Sequence, residues 1–165
     1  MSTHSDQAPS PARLAAQAAA EELLARILYA EAGARPVRAI EALACLAVNR
    51  AHAALTSAEA RTRFTADAMP ETLPRAVIAV LRAPFQFPVR HPRHERHALF
   101  TAPIEGDAAL SVCRRIAGRA LRGALPDATR GALLWHDLLR QPTWSLGRMP
   151  TLEAGGLAFY RLDAS

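Results

Sequence analysis

The sequence predicts a single α+β domain that is mostly helical, with a small β portion late in the chain. Its 165 residues are enough for one domain with a single core. Half of the residues are hydrophobic, which is too many for an intrinsically disordered chain. Alanine-rich stretches with apolar residues at helical spacing extend to Leu121, and short segments typical of strands follow only after Gly123.

Five helices are predicted from caps, prolines and apolar spacing. The first runs from about Pro11 to Ala32, with Ser10 as its N-cap and Gly33 just beyond its end. Similar signals predict the other four helices, from Pro36 to about His52, from Ser57 to Phe64, from Thr72 to Arg82 and from Asp107, a good N-cap, to about Leu121.

The remaining segments are predicted to be loops, tail and short strands. Between Ala83 and Pro103, four prolines and three histidines within 21 residues predict a long irregular loop. Two short strands or extended pieces are expected at 132–135 and 157–162. Residues 1–11 are predicted to form a disordered tail because they are rich in Ser and Pro, and residues 12–165 are predicted to form the domain.

The composition limits the possible partners without selecting one. All 20 basic residues are Arg, and with 15 acidic residues they give a net charge of +5. That charge is compatible with nucleic acid, with an anionic cell envelope or with no partner. No transmembrane segment and no secretory signal is readable, so we expect the protein to be cytoplasmic as synthesised. We also expect it to be a monomer. Cys45 and Cys113 lie in apolar helical patterns and are expected to be buried thiols.

Glu31 is a carboxylate that the helical period places on an apolar face. It shares this face with Leu24 and Leu28, in the last turn of the first predicted helix. The negative end of the helix dipole and burial would both raise the pKa of Glu31, as general acid catalysis at neutral pH requires. Alternatively, the helix ends earlier and Glu31 is solvated or pairs with Arg35.

The stretch from Tyr29 to Arg50, YAEAGARPVRAIEALACLAVNR, resembles the first motif of the SleB-type cell-wall hydrolases, the spore-cortex-lytic enzymes and their relatives. In that family an aromatic residue precedes Gly-Glu-Ala, and the following helix ends in Asn-Arg. Together the similar segments cover about Leu24 to Arg161. The later ones follow in the family's order at Phe85-Gln86-Phe87, 120–132 (ALRGALPDATRGA), Trp135-His136, Pro142-x-Trp144 and Phe159-Tyr160.

The resemblance implies a lysozyme-like domain that cleaves peptidoglycan glycan strands as a lytic transglycosylase, with Glu31 as its catalytic acid. A hydrolysing glycosidase normally needs two carboxylates. In a lytic transglycosylase the C6 hydroxyl of muramic acid is the nucleophile, so one carboxyl acts first as acid and then as base. We expect no cofactor and no metal, peptidoglycan as partner, and action in the periplasm or cell wall. The expected substrate-binding residues are Gln86, Phe87, Trp135, His136, Trp144 and Tyr160.

The residue types leave structural alternatives open at these positions. Trp135 and Trp144 either stack on sugar rings or pack in the core. His136 either binds substrate or is structural. The hydroxyl of Tyr160 either reaches Glu31 or a sugar or has only a structural role, and Gln86 either donates to an N-acetyl group or makes no contact with substrate.

Three further hypotheses come from other features. Gly33-Ala34-Arg35 stands where the family has Arg-Gly-Glu, so a peptidoglycan-binding module with weakened catalysis is one alternative. The repeat His91, His94 and His97 is typical of a zinc site, but a solvated loop is favoured because Pro92 interrupts any helix. A basic nucleic-acid-binding domain rests on the charge alone, because no pattern of a helix-turn-helix, zinc finger or RNA-recognition motif is present.

Overall fold

The computed structural model describes residues 8–162 and confirms the mostly helical α+β class. Residues 1–7 of the predicted tail lie outside this range, and Pro11 is already helical. The lysozyme-like character of the fold stays a prediction. The elements are α1 (Pro11–Ala32), α2 (Val37–Thr56), α3 (Ala58–Thr65), α4 (Leu73–Arg82), α5 (His97–Thr101), α6 (Ala108–Leu121), β1 (Leu134–Asp137), β2 (Leu152–Ala154) and β3 (Leu157–Tyr160), with 3-10 turns at Pro88–Arg90 and Thr143–Ser145.

Helix α1 is the central element of the fold, and its bounds are those predicted. Ser10 accepts a hydrogen bond from the backbone N–H of Arg13, and Pro11 opens the helix. The helix packs against α2, α4, α5 and α6, and most of its C-terminal half is buried. The hydroxyl of Tyr29 donates to Asp107 at 2.7 Å, which ties the end of α1 to the N-cap of α6.

Helix α2 is longer than predicted, because nothing between His52 and Ser57 stops it. The intervening Ala53 and Ala54 are strong helix formers. Ser57 ends α2, where its backbone N–H donates to Ala53, and it also begins α3, because its hydroxyl accepts from the N–H of Ala60. One residue thus serves as the stop of one helix and the cap of the next.

The prediction of a long irregular loop between Ala83 and Pro103 was only partly right, because most of the segment is irregular but two short helical elements interrupt it. The segment contains the 3-10 turn Pro88–Arg90, and α5 begins at His97. Prolines and histidines interrupt a continuous helix here but allow short turns, in which the side chains of His91 and His94 accept backbone N–H groups two residues later. Because this segment packs on α1, it reaches the region of Glu31.

The late β portion is a three-stranded antiparallel sheet in the order β1-β3-β2. All four residues of the central strand β3 are buried. Strand β1 lies two residues later than predicted, with Trp135 opposite Phe159 and His136 opposite Ala158. Strand β2 was not predicted, because three residues carry too little alternation and the strand exists through its pairing with β3.

Gly155 is required where the β2–β3 turn approaches the start of α2. Its φ is +56°, and an added Cβ would lie 2.8 Å from the Cβ of Ala39 and 3.0 Å from the Cδ of Pro36. We therefore expect Gly155→Ala to reduce the free energy of unfolding by about 3 kcal/mol, from backbone strain plus overpacking. The control Gly147→Ala has a φ of +75° but open space, so about 1 kcal/mol is expected. Equal losses in urea unfolding would contradict the packing argument.

Two other predictions concern the membrane and the cysteines. Within residues 8–162 no helix has the length and apolarity to cross a membrane.

Cys45 and Cys113 are both buried free thiols, as predicted. Burial raises the pKa of each thiol to about 12, so both stay protonated near neutral pH.

Candidate active site

Glu31 lies in the last turn of α1 and is 3% exposed. One carboxylate oxygen, Oε1, accepts a hydrogen bond from the backbone N–H of Val89 at 2.9 Å. The other oxygen, Oε2, makes no hydrogen bond within residues 8–162. The alternative of a solvated Glu31 is excluded, and so is its pairing with Arg35, because Arg35 pairs with Asp137 at 2.6 Å.

Burial raises the pKa of Glu31 to about 7, in the direction that the sequence predicts. The N–H of Val89 and the positive charges of Arg96 and Arg35 oppose this shift. The negative charge of Asp137 adds to it. Because the desolvation effect is the largest, the carboxyl is protonated in a substantial fraction of molecules near neutral pH, as a general acid must be.

A cavity of about 570 Å³ opens beside this region, large enough for a small ligand or one or two sugar units. Its lining includes the predicted residues Gln86, Trp135, His136 and Trp144. Glu31 is not part of the lining. Its connection to the cavity is the hydrogen bond to Val89, which follows the lining residue Pro88 along the chain.

The two tryptophans are on the cavity wall, as a sugar-stacking role requires. Trp135 is half-buried and Trp144 is 39% exposed. Trp135 is supported from within by Phe87, whose ring centroid lies 6.2 Å away. Phe87 itself is 3% exposed and does not line the cavity, so in this structure it packs behind Trp135, and its contact with substrate stays a prediction.

His136 and Tyr160 form a buried pair behind Trp144. The Nε2 of His136 and the hydroxyl of Tyr160 are 3.0 Å apart, and Nδ1 bonds the carbonyl of Asp137. Both rings also contact the indole of Trp144, with centroids at 5.6 and 5.3 Å. The Tyr160 hydroxyl thus bonds His136 and does not reach Glu31, and its contact with a sugar stays a prediction for a residue that is 4% exposed. Both ring nitrogens of His136 have protein partners, which favours its structural alternative, whereas its place in the cavity lining keeps substrate contact a prediction.

Gln86 lies in the cavity wall, but its amide is already engaged. Its Nε2 donates to the carbonyls of Arg63 and Pro84 at 3.2 and 3.4 Å. The predicted donation to an N-acetyl group would require this amide to exchange partners, whereas its Oε1 makes no hydrogen bond within residues 8–162. Without such an exchange, Gln86 can offer a ligand only its Oε1 atom, which is a hydrogen-bond acceptor.

Asp137 is a second carboxylate at the site that the sequence analysis missed. It lines the cavity, and its charge acts on Glu31. Burial opposes its ionisation, but the N–H of Leu139 and the guanidinium of Arg35 together lower the pKa of Asp137 below its usual value. A raised and a lowered pKa thus occur on neighbouring carboxyls, a pattern typical of acid–base sites. Its position directly after Trp135-His136 was the only sequence signal.

Phe85 is a second residue that sequence reasoning did not assign to the site. It lines the cavity and is 99% exposed, with a φ of +65°. A large residue rarely adopts this conformation, and such strain is concentrated at functional sites. Its position in the Phe85-Gln86-Phe87 motif was the available signal, although only the latter two residues were predicted.

The histidine repeat is used within its own segment. His91 and His94 accept backbone N–H groups through Nδ1, and the Nδ1 of His97 bonds the carbonyl of Val89 at 2.7 Å. Within the part of the chain that the structure describes, no group of three or more His, Cys, Asp or Glu side chains is arranged to hold a metal ion. The segment instead positions Val89 against Glu31.

Comparison with protein-family models, with curated proteins and with solved structures found no match to this chain.

Proposed function

We propose that this protein cleaves the glycan strands of peptidoglycan by a lytic transglycosylase reaction, with Glu31 as the general acid and base. The observation that carries the proposal is a buried carboxyl with a pKa of about 7, held beside a cavity with aromatic walls. The similarity of the Tyr29–Arg50 stretch to the SleB-type hydrolases supports the same residue. The proposed reaction needs only one carboxyl as acid and base, because its nucleophile belongs to the substrate, and Asp137 then acts through its charge on Glu31.

In the proposed reaction the proton on Oε2 of Glu31 passes to the glycosidic oxygen as the bond from that oxygen to C1 of muramic acid breaks. The C6 hydroxyl oxygen of the same sugar forms a bond to C1, and its proton returns to the Glu31 carboxylate. The products are a new hydroxyl on the leaving strand and a 1,6-anhydro end. No water is consumed, and the intramolecular attack needs no ordered second reactant.

Access to Glu31 imposes a structural requirement on this reaction. Because Glu31 is 3% exposed and lies outside the cavity wall, the reaction requires Glu31 to become accessible when substrate binds, and we propose that the Pro88–Arg90 turn is the element that moves. This turn donates the Val89 N–H to Oε1, so its movement would change the exposure and the protonation of the carboxyl together. Such closure or opening steps commonly accompany substrate binding.

Hydrolysis is a variant of the proposal, and Asp137 is the observation that favours it. An ionised carboxylate in the cavity wall is suited to activate water or to attack C1.

The substitution Asp137→Asn distinguishes the two roles of this residue. If Asp137 only tunes Glu31, Asp137→Asn lowers the pKa of Glu31, since a negative charge is lost. The rate falls as pH rises through that pKa, so we expect the alkaline limb of the pH–rate profile to move to lower pH with the maximum retained. Loss of the maximum rate by about a hundredfold or more would instead assign Asp137 to the chemistry.

A peptidoglycan-binding module without turnover is the second candidate. The low exposure of Glu31 and its absence from the cavity wall favour it. On either proposal the partner is peptidoglycan, the site of action is the periplasm or cell wall, and a monomer suffices. The net charge of +5 would assist adsorption to carboxylate-rich muropeptides, an effect that added salt would screen.

Digestion of purified sacculi separates these candidates. The protein is incubated with sacculi at pH 6, below the pKa of Glu31, and the soluble products are analysed by mass spectrometry. Anhydro-muropeptides are the expected result, and products heavier by one water would assign hydrolysis. Co-sedimentation with sacculi without soluble products would assign the binding module and overturn the enzymatic proposal.

A further inference from the structure

Arg50 is a buried cation for which residues 8–162 supply no anion. Its side chain lines the cavity and the residue is 5% exposed. The Nε donates to the carbonyl of Leu133 at 2.7 Å, whereas Nη1 has no hydrogen-bond partner and no carboxylate pairs with Arg50 within residues 8–162. A buried charge without a counter-charge is costly, so an anion brought by a ligand would relieve that cost.

The surroundings of Arg50 hold its guanidinium without neutralising it. The Cζ atom lies 5.0 Å from the ring centroid of Phe64 and 5.6 Å from that of Phe87, which is within cation–π distance. Burial, and then the charge of Arg63, lower the pKa of Arg50 to about 9, so it remains a cation at neutral pH. The two rings keep the guanidinium at the cavity wall.

The rest of the wall is also basic. Arg63 and Arg140 line the cavity, are exposed, and form no ion pair with a carboxylate within residues 8–162. Among the residues lining the cavity, Asp137 is the only carboxylate, and it is paired with Arg35 at 2.6 Å. The cavity therefore presents an excess of positive charge to whatever enters it.

We propose that the cavity binds a saccharide through an anionic substituent that is held by Arg50, with Arg63 and Arg140 contributing. Guanidinium groups suit carboxylate and phosphate because they donate two parallel hydrogen bonds. The exposed rings of Phe85 and Trp144 provide apolar faces for the sugar itself. The saccharide rests on the proposed function, whereas the anion rests on the arginines. A muramic acid unit supplies such a group, since its lactyl arm carries a carboxylate or a peptide with carboxylates.

The binding experiment uses the tryptophan fluorescence of the native chain, because its two tryptophans, Trp135 and Trp144, both line the cavity. The probes are N-acetylmuramic acid, its neutral counterpart N-acetylglucosamine, and N-acetylglucosamine 6-phosphate. We expect an anionic sugar to bind about tenfold more tightly than the neutral one. The anion that shows this preference identifies the substituent as carboxylate or phosphate.

Variants connect the preference to the arginines. Arg50→Met is expected to abolish the preference for the anionic sugar over the neutral one. The double variant Arg63→Gln/Arg140→Gln is expected to reduce this preference about threefold. The control Arg115→Gln, on the exposed face of α6, should leave the preference unchanged. If Arg50→Met does not fold, the double variant decides, because both of its positions are exposed. Equal binding of the three sugars, binding of none, or an unchanged preference in the double variant would overturn the inference. Cleavage of sacculi is measured separately, so either proposal can fail without the other.

Discussion

Glu31→Gln is expected to slow the release of muropeptides from sacculi by about 10²- to 10⁴-fold, the usual contribution of a general acid. Glutamine has nearly the same shape and still accepts the Val89 N–H, but it cannot donate a proton to the glycosidic oxygen. A loss of activity in this variant would therefore be due to the missing proton transfer and not to altered packing. The measurement is the initial rate of soluble product release at pH 6, with circular dichroism to show that the fold is retained.

Glu153→Gln is the matched control for this substitution. Glu153 is exposed on β2, so the same chemical change there should leave the rate within a factor of two or so, as surface substitutions commonly do. Retention of full activity by Glu31→Gln would contradict a role of Glu31 in the reaction.

The activity of the native protein should also decline as pH rises through about 7, the pKa of Glu31, because the acid must be protonated.

The same substitution is expected to stabilise the protein at alkaline pH. Burial raises the pKa of Glu31 from 4.5 to about 7, so the folded state binds the proton more tightly than the unfolded state. Stability from this group is fully present below pH 4.5 and is lost as pH rises to about 7. Since one pKa unit corresponds to 1.36 kcal/mol, the native protein loses about 3 kcal/mol over this interval, and Glu31→Gln does not.

Chemical unfolding at several pH values measures this effect. The difference in the free energy of unfolding between Glu31→Gln and the native protein should be small at pH 4 and reach about 3 kcal/mol in favour of the variant at pH 8. Other titrating groups cancel in the difference because both proteins contain them. A difference that does not change with pH, or a variant that is less stable at pH 8, would show that burial of Glu31 carries no ionisation cost.

Together the two measurements separate catalysis from stability at one position. A substitution that removes activity and raises stability identifies a residue that is maintained at a cost to the fold, as active-site groups often are. A buried Glu31 without a catalytic role would show the same gain in stability at alkaline pH but no loss of activity. Glu153→Gln should show neither effect, since its side chain is exposed.

The helices other than α5 were predictable because their signals are local. Ser10, Pro11 and Asp107 mark helix starts through caps and backbone angles that depend only on neighbouring residues. The buried face of α1, and with it the position of Glu31, follows from the helical period. The small size of the β portion was also evident, because strand-like residues occur only late in the chain.

The strand bounds and the organised 83–103 segment were not predictable in this way. Strand β2 depends on pairing with β3, and the prolines that suggested an irregular loop also permit the 3-10 turn that carries Val89. Tertiary contacts decide between such alternatives, because short segments gain too little from local interactions to select one conformation.

By itself, the sequence determined the helical class, the buried face of α1 and an acidic side chain on that face. Only the tertiary structure decided what surrounds that side chain. Val89 is 58 residues from Glu31, and Asp137 is 102 residues from the Arg35 that binds it. The contact of the Arg50 guanidinium with the ring of Phe87 likewise joins α2 to a segment 37 residues away. Local patterns encode helix ends and faces, whereas the charge and the desolvation of a site depend on groups that only packing brings together.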